Sequence, residues 1–194
     1  MKDIQGFILA GGMSRRMGRD KSRLQLGAQT FIDIIAASLE PVTKSVSLVG
    51  GAPHENFPTV TDVFPEWGAL GGLHAALNSC KSPWAFVIAC DLPFVTTELI
   101  NSLLSLREEY DAVVPIQEDG RPQPLCAAYR IDPCLTTAES LIRDGKRRPL
   151  DLLDTVKTHW IPFSKLNDMD QAELFFDNIN TPEDYYEATR KALE

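Results

Sequence analysis

The sequence predicts an α/β protein in which a mainly parallel sheet is flanked by helices on both faces. Three observations predict it. Strand-like and helix-like runs alternate from the start of the chain to about residue 115. The strand-like runs are apolar throughout, as strands without a solvent face must be. Several of them end on glycine or aspartate. In such a sheet, ligands sit at the carboxyl ends of the strands.

GFILA at 6–10 is a short apolar run followed by glycines, hence a buried strand. TFIDIIAASL at 30–39 follows as a helix, with Thr30 as N-cap and Phe31, Ile34, Ile35 and Leu39 on one face. SVSLVGG at 45–51 and TVTD at 59–62 read as strands, LGGLHAALNS as a helix, and WAFVIACD as a fully apolar strand ending on an acid. TTELINSLLSL is an amphipathic helix capped by Thr96 or Thr97, and DAVVP is the next strand. After Pro115 the texture changes. EDGRPQP is turn chemistry and LCAAYRI is strand-like. DPCLTTAESLIRDG is a helix, with Asp132 expected as N-cap, Pro133 at the first helical position and Gly145 as the stop. THWIPF is a last strand, and the terminal helix of NTPEDYYEATRKALE starts at a Thr181 cap followed by Pro182.

At 194 residues and 44% apolar, the chain can bury a full core, and without repeat, linker or low-complexity tract it reads as one domain. Its four cysteines form no C-x-x-C pair and its three histidines are far apart, so reduced thiols, not structural zinc, are expected. No h-region and no run of eighteen apolar residues occurs, so the expectation is a cytoplasmic protein with no membrane partner. The net charge of −8 argues against nucleic acid. The first thirty residues run the other way, with six basic and two acidic side chains, which suggests a small phosphorylated ligand held locally.

That basic cluster lies in FILAGGMSRRMGRDKSRL at 7–24. Its glycines are spaced for neither a G-x-x-x-x-G-K-[ST] loop nor a G-x-G-x-x-G fingerprint. What is left is a strand ending in a glycine turn, whose N–H groups can approach a nucleotide closely, followed by a cationic loop able to wrap a polyphosphate.

Five blocks, in order, resemble the molybdenum cofactor guanylyltransferase family of nucleoside-triphosphate transferases. They are LAGG at 9–12 with RRMG at 15–18 and Asp20-Lys21; GALGGL at 68–73; CDLP at 90–93; QPLCAAY at 123–129; and NINTPED at 178–184. The resemblance implies a single Rossmann-like nucleotidyltransferase domain over 1–194. Its nucleotide-binding part covers about 1–115 and its substrate-binding part about 116–194. It also implies transfer of GMP from GTP to the terminal phosphate of molybdopterin, with Mg as cofactor and pyrophosphate as second product. Transient contact with molybdopterin-donating and molybdoenzyme acceptor proteins is implied too. Relatives that transfer CMP, or that act on sugar phosphates, share the fold, and so would a catalytically idle binding protein.

By family position, Leu9, Ala10, Gly11 and Gly12 line the nucleotide, Lys21 contacts its phosphates, and Arg16 serves the triphosphate or the leaving pyrophosphate. Asp91, ending the strand WAFVIAC, is assigned to Mg, since oxygen donors suit that hard ion and one protein carboxylate can suffice. Asp62 matches a nucleotide-contacting acid and also reads as a plain turn aspartate. Asn178 and Asn180 are placed to bind pterin or phosphate, and Asn180 also reads as a residue that shapes the loop before the Thr181 cap. GKRRP at 145–149 reads equally as a second anion contact and as an exposed helix end. Where the family places an asparagine after the second strand, this chain has Val49, Gly50 and Gly51, whose backbone groups could take its place.

Overall fold

The computed structural model describes residues 3–11 and 24–191. In chain order its elements are β1 (Ile4–Leu9), β2 (Gln25–Leu26), β3 (Gln29–Thr30), α1 (Phe31–Leu39), β4 (Val46–Val49), β5 (Thr59–Val60) and α2 (Gly68–Ser79). There follow β6 (Trp84–Ala89), α3 (Thr97–Ser105), β7 (Ala112–Pro115), β8 (Cys126–Arg130), α4 (Ile131–Arg143), α5 (Pro149–Leu153), β9 (Thr158–Ile161) and α6 (Pro182–Lys191). Two short 3₁₀ turns, Phe163–Lys165 and Ala172–Leu174, lie between β9 and α6.

Seven strands form one sheet in the order β5-β4-β1-β6-β8-β7-β9. All neighbours run parallel except β8, which is antiparallel to both β6 and β7. The α/β expectation holds, and the inner strands β4, β1, β6, β8 and β7 each serve two cores. In β1, Ile8 faces the cluster built with Ile32 and Ile35 of α1 and Leu99 and Ile100 of α3, while Phe7 and Leu9 join Leu70 and Leu73 of α2. β6 divides the same way, Phe86 and Ile88 against Ala85 and Val87. Burial on both faces is why its six residues are all buried and all apolar. The second core also takes in Ala138 and Ile142 of α4 and Leu152 of α5.

The local signals act largely as read. Thr30 Oγ1 accepts from Asp33 N–H at 3.1 Å, and the Asp33 carboxylate accepts from the Thr30 N–H at 3.3 Å, a full capping box. Thr96 caps α3 through Leu99 N–H. Gly145, at φ +80°, ends α4 with paired bonds from Gly145 N to Ile142 O and Lys146 N to Leu141 O. Two details differ. Ile34 is only partly buried and packs on a third cluster around Leu24, Leu26 and Phe31. Asp132 is not the cap of α4: β8 runs straight into the helix, the cap position is Arg130, and Ile131 N–H bonds the Pro83 carbonyl at 2.9 Å. Asp132 instead lies in the first turn, where its charge suits the helix dipole. Pro133 is then the third helical residue, a position that needs no N–H because a donor there has no partner within the helix, so proline is tolerated.

Candidate active site

Strand order determines where a ligand crevice can open. From β1 the chain moves outward through β4 to β5, then returns through α2 to β6 on the opposite side of β1. Connections therefore diverge between β1 and β6, and the crevice of an open α/β sheet lies beyond the carboxyl ends at that divergence. Leu9 pairs in register with Ala89, and Cys90 N–H bonds the Leu9 carbonyl at 3.1 Å. Ala10 and Gly11 thus leave the sheet beside Cys90 and Asp91.

On the β1 side the turn is held by its neighbour. Ala10 N–H and Gly11 N–H both donate to the Val49 carbonyl, at 3.0 and 3.1 Å, and Gly50 N–H donates to the Val60 carbonyl at 3.0 Å. The same edge carries Asp62, two residues beyond β5. Its Oδ1 is buried and has no hydrogen-bond partner among the described residues. Burial pushes its pKa above the ordinary carboxylate range. An acceptor in that condition suits a ligand that brings a donor.

The loop carrying Asp62 runs into α2, where Gly71 leaves room for the loop to pack closely. A Cβ on Gly71 would stand 3.1 Å from the Phe64 carbonyl, and one on Gly72 would touch Leu9 at 3.6 Å. The helix start, at Trp67, has no side-chain cap. Trp67 Nε1–H donates to the Lys146 carbonyl at 2.7 Å, Arg147 lies 4.7 Å over the Trp67 ring, and its Nη1 donates to the Glu66 carbonyl at 3.2 Å. The GKRRP segment is therefore fastened to the Asp62 loop through Arg147.

On the β6 side, Ile179 N–H donates to the backbone carbonyl of Asp91 at 3.0 Å, so the residues flanking Ile179, Asn178 and Asn180, are brought beside the end of β6. Asn180 N–H and Thr181 N–H both donate to the Asp184 carboxylate, at 2.8 and 2.9 Å, and Asp184 N–H donates to Thr181 Oγ1 at 3.1 Å. Thr181 thus caps α6 as expected, and Asn180 is held by that same cap. Asn178 Oδ1 accepts from Nε2 of the buried Gln123 at 3.2 Å. Gln123 opens the QPL block, but its partner lies 55 positions away, and no spacing in the sequence signals the pair.

Beyond these asparagines lies a cavity of about 770 Å³, between the loop joining β7 to β8 and the start of α6. Phe163 and Phe176 give it aromatic faces, and Asn178 and Asn180 line one wall. Of the residues assigned from sequence, Leu9, Ala10, Gly11, Asp62, Asp91, Asn178 and Asn180 fall at this edge of the sheet. Gly12, Arg16 and Lys21 lie outside the described residues.

Asp91 supplies a hard oxygen donor at the strand end, with Oδ1 buried. Among the described residues, no three His, Cys, Asp or Glu side chains gather as a ligand cluster. That donor set fits Mg carried by a triphosphate, since Mg commonly takes one or two carboxylates and fills its shell with phosphate oxygens and water.

Known proteins resemble this chain over most of its length. The family model described as the MobA-like NTP transferase domain matches residues 6–157. The chain is 33% identical over 192 residues to a probable molybdenum cofactor guanylyltransferase of Pelotomaculum thermopropionicum, covering 97% of this chain and 93% of that protein. It is 34% identical over 188 residues to a probable molybdenum cofactor guanylyltransferase of Carboxydothermus hydrogenoformans, covering 95% and 94%. Among solved structures, molybdopterin-guanine dinucleotide biosynthesis protein A of Archaeoglobus fulgidus superposes with a TM-score of 0.83 at 26% identity, covering 97% of this chain and 98% of that one. With the domain match spanning most of the chain and the relatives aligned nearly end to end, the chain belongs to the MobA-like NTP transferase family.

Proposed function

We propose that the protein transfers GMP from GTP to the terminal phosphate of molybdopterin, or of its molybdenum-loaded form, to give the guanine dinucleotide and pyrophosphate. The relatives named molybdenum cofactor guanylyltransferase support this reading. The observation that carries it is the bond from Ile179 N–H to the Asp91 carbonyl, which joins the donor edge of the sheet to the asparagine segment.

No side-chain nucleophile is needed. An oxygen of the acceptor phosphate forms the new bond to the α-phosphorus of GTP. The bond from that phosphorus to the oxygen bridging the β-phosphate breaks, and pyrophosphate leaves. The protein's task is alignment and charge neutralisation. Leu9, Ala10, Gly11 and Gly12 line the nucleotide, and Asp62 accepts a hydrogen bond from it. Lys21 and Arg16 neutralise the triphosphate and the departing pyrophosphate. Asp91 is the residue to hold Mg, which supplies Lewis-acid neutralisation of phosphate charge when bound. Asn178 and Asn180 orient the acceptor. Because Gln123 occupies Asn178 Oδ1, the Asn178 NH₂ is the end of that amide left to donate.

Mass analysis of the products tests the reading. With GTP, Mg and molybdopterin, the dinucleotide and pyrophosphate should form in equal amounts. GDP or free GMP as the main product would refute the transfer.

A further inference from the structure

We propose that Gly50 and Gly51 are positioning residues of the donor-nucleotide site: by carrying no Cβ, they let the end of β4 close against the turn at Ala10 and Gly11 and so fix where that turn's backbone stands. The inference rests on the reading of Ala10 and Gly11 as nucleotide-lining residues.

Both glycines have left-handed backbone, φ +67° at Gly50 and +74° at Gly51, a conformation L side chains rarely adopt. Both are also crowded by the other turn. A Cβ on Gly50 would stand 2.9 Å from Gly11 Cα and 3.3 Å from Gly11 N. One on Gly51 would stand 3.0 Å from Ala10 Cβ and 3.1 Å from the Ala10 carbonyl oxygen. The atoms in the way are mainly backbone, which no rotamer change can move. The approach is reciprocal, because a Cβ on Gly11 would lie 3.4 Å from Gly50 Cα. The shared Val49 carbonyl, accepting from both Ala10 and Gly11, draws the two turns together. Closing them therefore needs small residues on both sides, and the glycine pair supplies them on the β4 side. A side chain added there pushes on Ala10 and Gly11 directly, whereas Asp91, on the far side of β1, is not among the atoms it meets.

Gly27 separates this role from backbone strain alone. It too is left-handed, at φ +61°, but nothing lies within 4 Å of an added Cβ. GTP affinity measured by calorimetry, with melting temperature and steady-state kinetics, should be compared among wild type, Gly50→Ala, Gly51→Ala and Gly27→Ala. The two β4 variants should bind GTP at least tenfold more weakly and raise KM for GTP accordingly, with kcat at saturating GTP within about threefold of wild type. Gly27→Ala should lower the melting temperature and leave GTP affinity unchanged. Should Gly50→Ala not fold, Gly51→Asn keeps the experiment decisive, because asparagine tolerates the left-handed conformation yet still sets a Cβ against Ala10. Equal GTP affinity in wild type and every β4 variant, or a loss no greater than that of Gly27→Ala, overturns the inference while leaving the donor reading in place. A wild-type protein that binds no GTP overturns the donor reading, and the inference with it.

Discussion

Asp91 and Asp62 stand at the same edge of the sheet in different surroundings. Asp91 leaves the central strand β6 beside the Ala10 turn, while Asp62 follows the edge strand β5 with Oδ1 buried and unpartnered among the described residues. Asp91→Asn keeps the side-chain shape and removes the charge, so GMP transfer should fall roughly 10²-fold or more while the melting temperature holds or rises. Near-normal, Mg-dependent transfer would move the metal role elsewhere. Asp62 gives a different signature. Burial raises its pKa in the folded protein, so the neutral form is favoured by folding. Its contribution to stability is fully present below the unfolded pKa and is lost as pH rises through the folded one. Asp62→Asn should therefore melt above wild type at neutral pH, with the gap closing as the pH is lowered through the acid range; thermal melts across that range check it. A constant gap at all pH values would show that the carboxylate is not the source. Both acids were legible as strand-end carboxylates. Gln123 was not, because its contact with Asn178 exists only once the β7–β8 connection and the segment before α6 are brought together.

Helices and strands show the same division between local and distant causes. The Thr30 cap is a local device legible in the sequence, and in the structure Asp33 completes it as a capping box that anchors the nine-residue α1. Thr30→Ala should cost about 1 kcal/mol, measured as a lower denaturant midpoint at unchanged slope. An unchanged midpoint would show that packing of Ile32 and Ile35 alone holds the helix start. The cap of α4 was misread for an equally local reason: Asp-Pro is a strong start signal, but the direct run of β8 into the helix and the bond to Pro83 are tertiary. The direction of β8 was also hidden, since an apolar run carries no mark of parallel or antiparallel pairing. His74 of α2 depends on tertiary contact in the same way. It is buried against the edge of Phe64, with Nε2 3.8 Å from Glu139 of α4. Burial lowers its pKa below 6.5, an effect the Glu139 charge opposes without reversing. In this pH range the unfolded chain binds more protons than the folded one, so stability is fully present above the unfolded value and declines as pH falls through it. His74→Leu should flatten the loss of stability between about pH 7 and about pH 5, read by denaturant titration. An unaltered pH slope would contradict the buried, neutral imidazole.

At the scale of the molecule, the order β5-β4-β1-β6-β8-β7-β9 does the work of assembly. It sets the glycine turn and Asp91 side by side at the point where connections diverge, and the segment before α6 straps the asparagines to the second of them. Leu9, Asp91, Gln123 and Asn178, scattered over four of the sequence blocks, are thereby gathered at one edge of one sheet. No described helix is long and apolar enough to cross a membrane. The most direct measurement of the central claim is pyrophosphate release with GTP, CTP, ATP and UTP, each with and without molybdopterin. A guanylyltransferase acting on molybdopterin should release pyrophosphate only when molybdopterin is present and with a strong preference for GTP. Comparable molybdopterin-dependent release with CTP, or release from GTP that ignores molybdopterin, would contradict that claim.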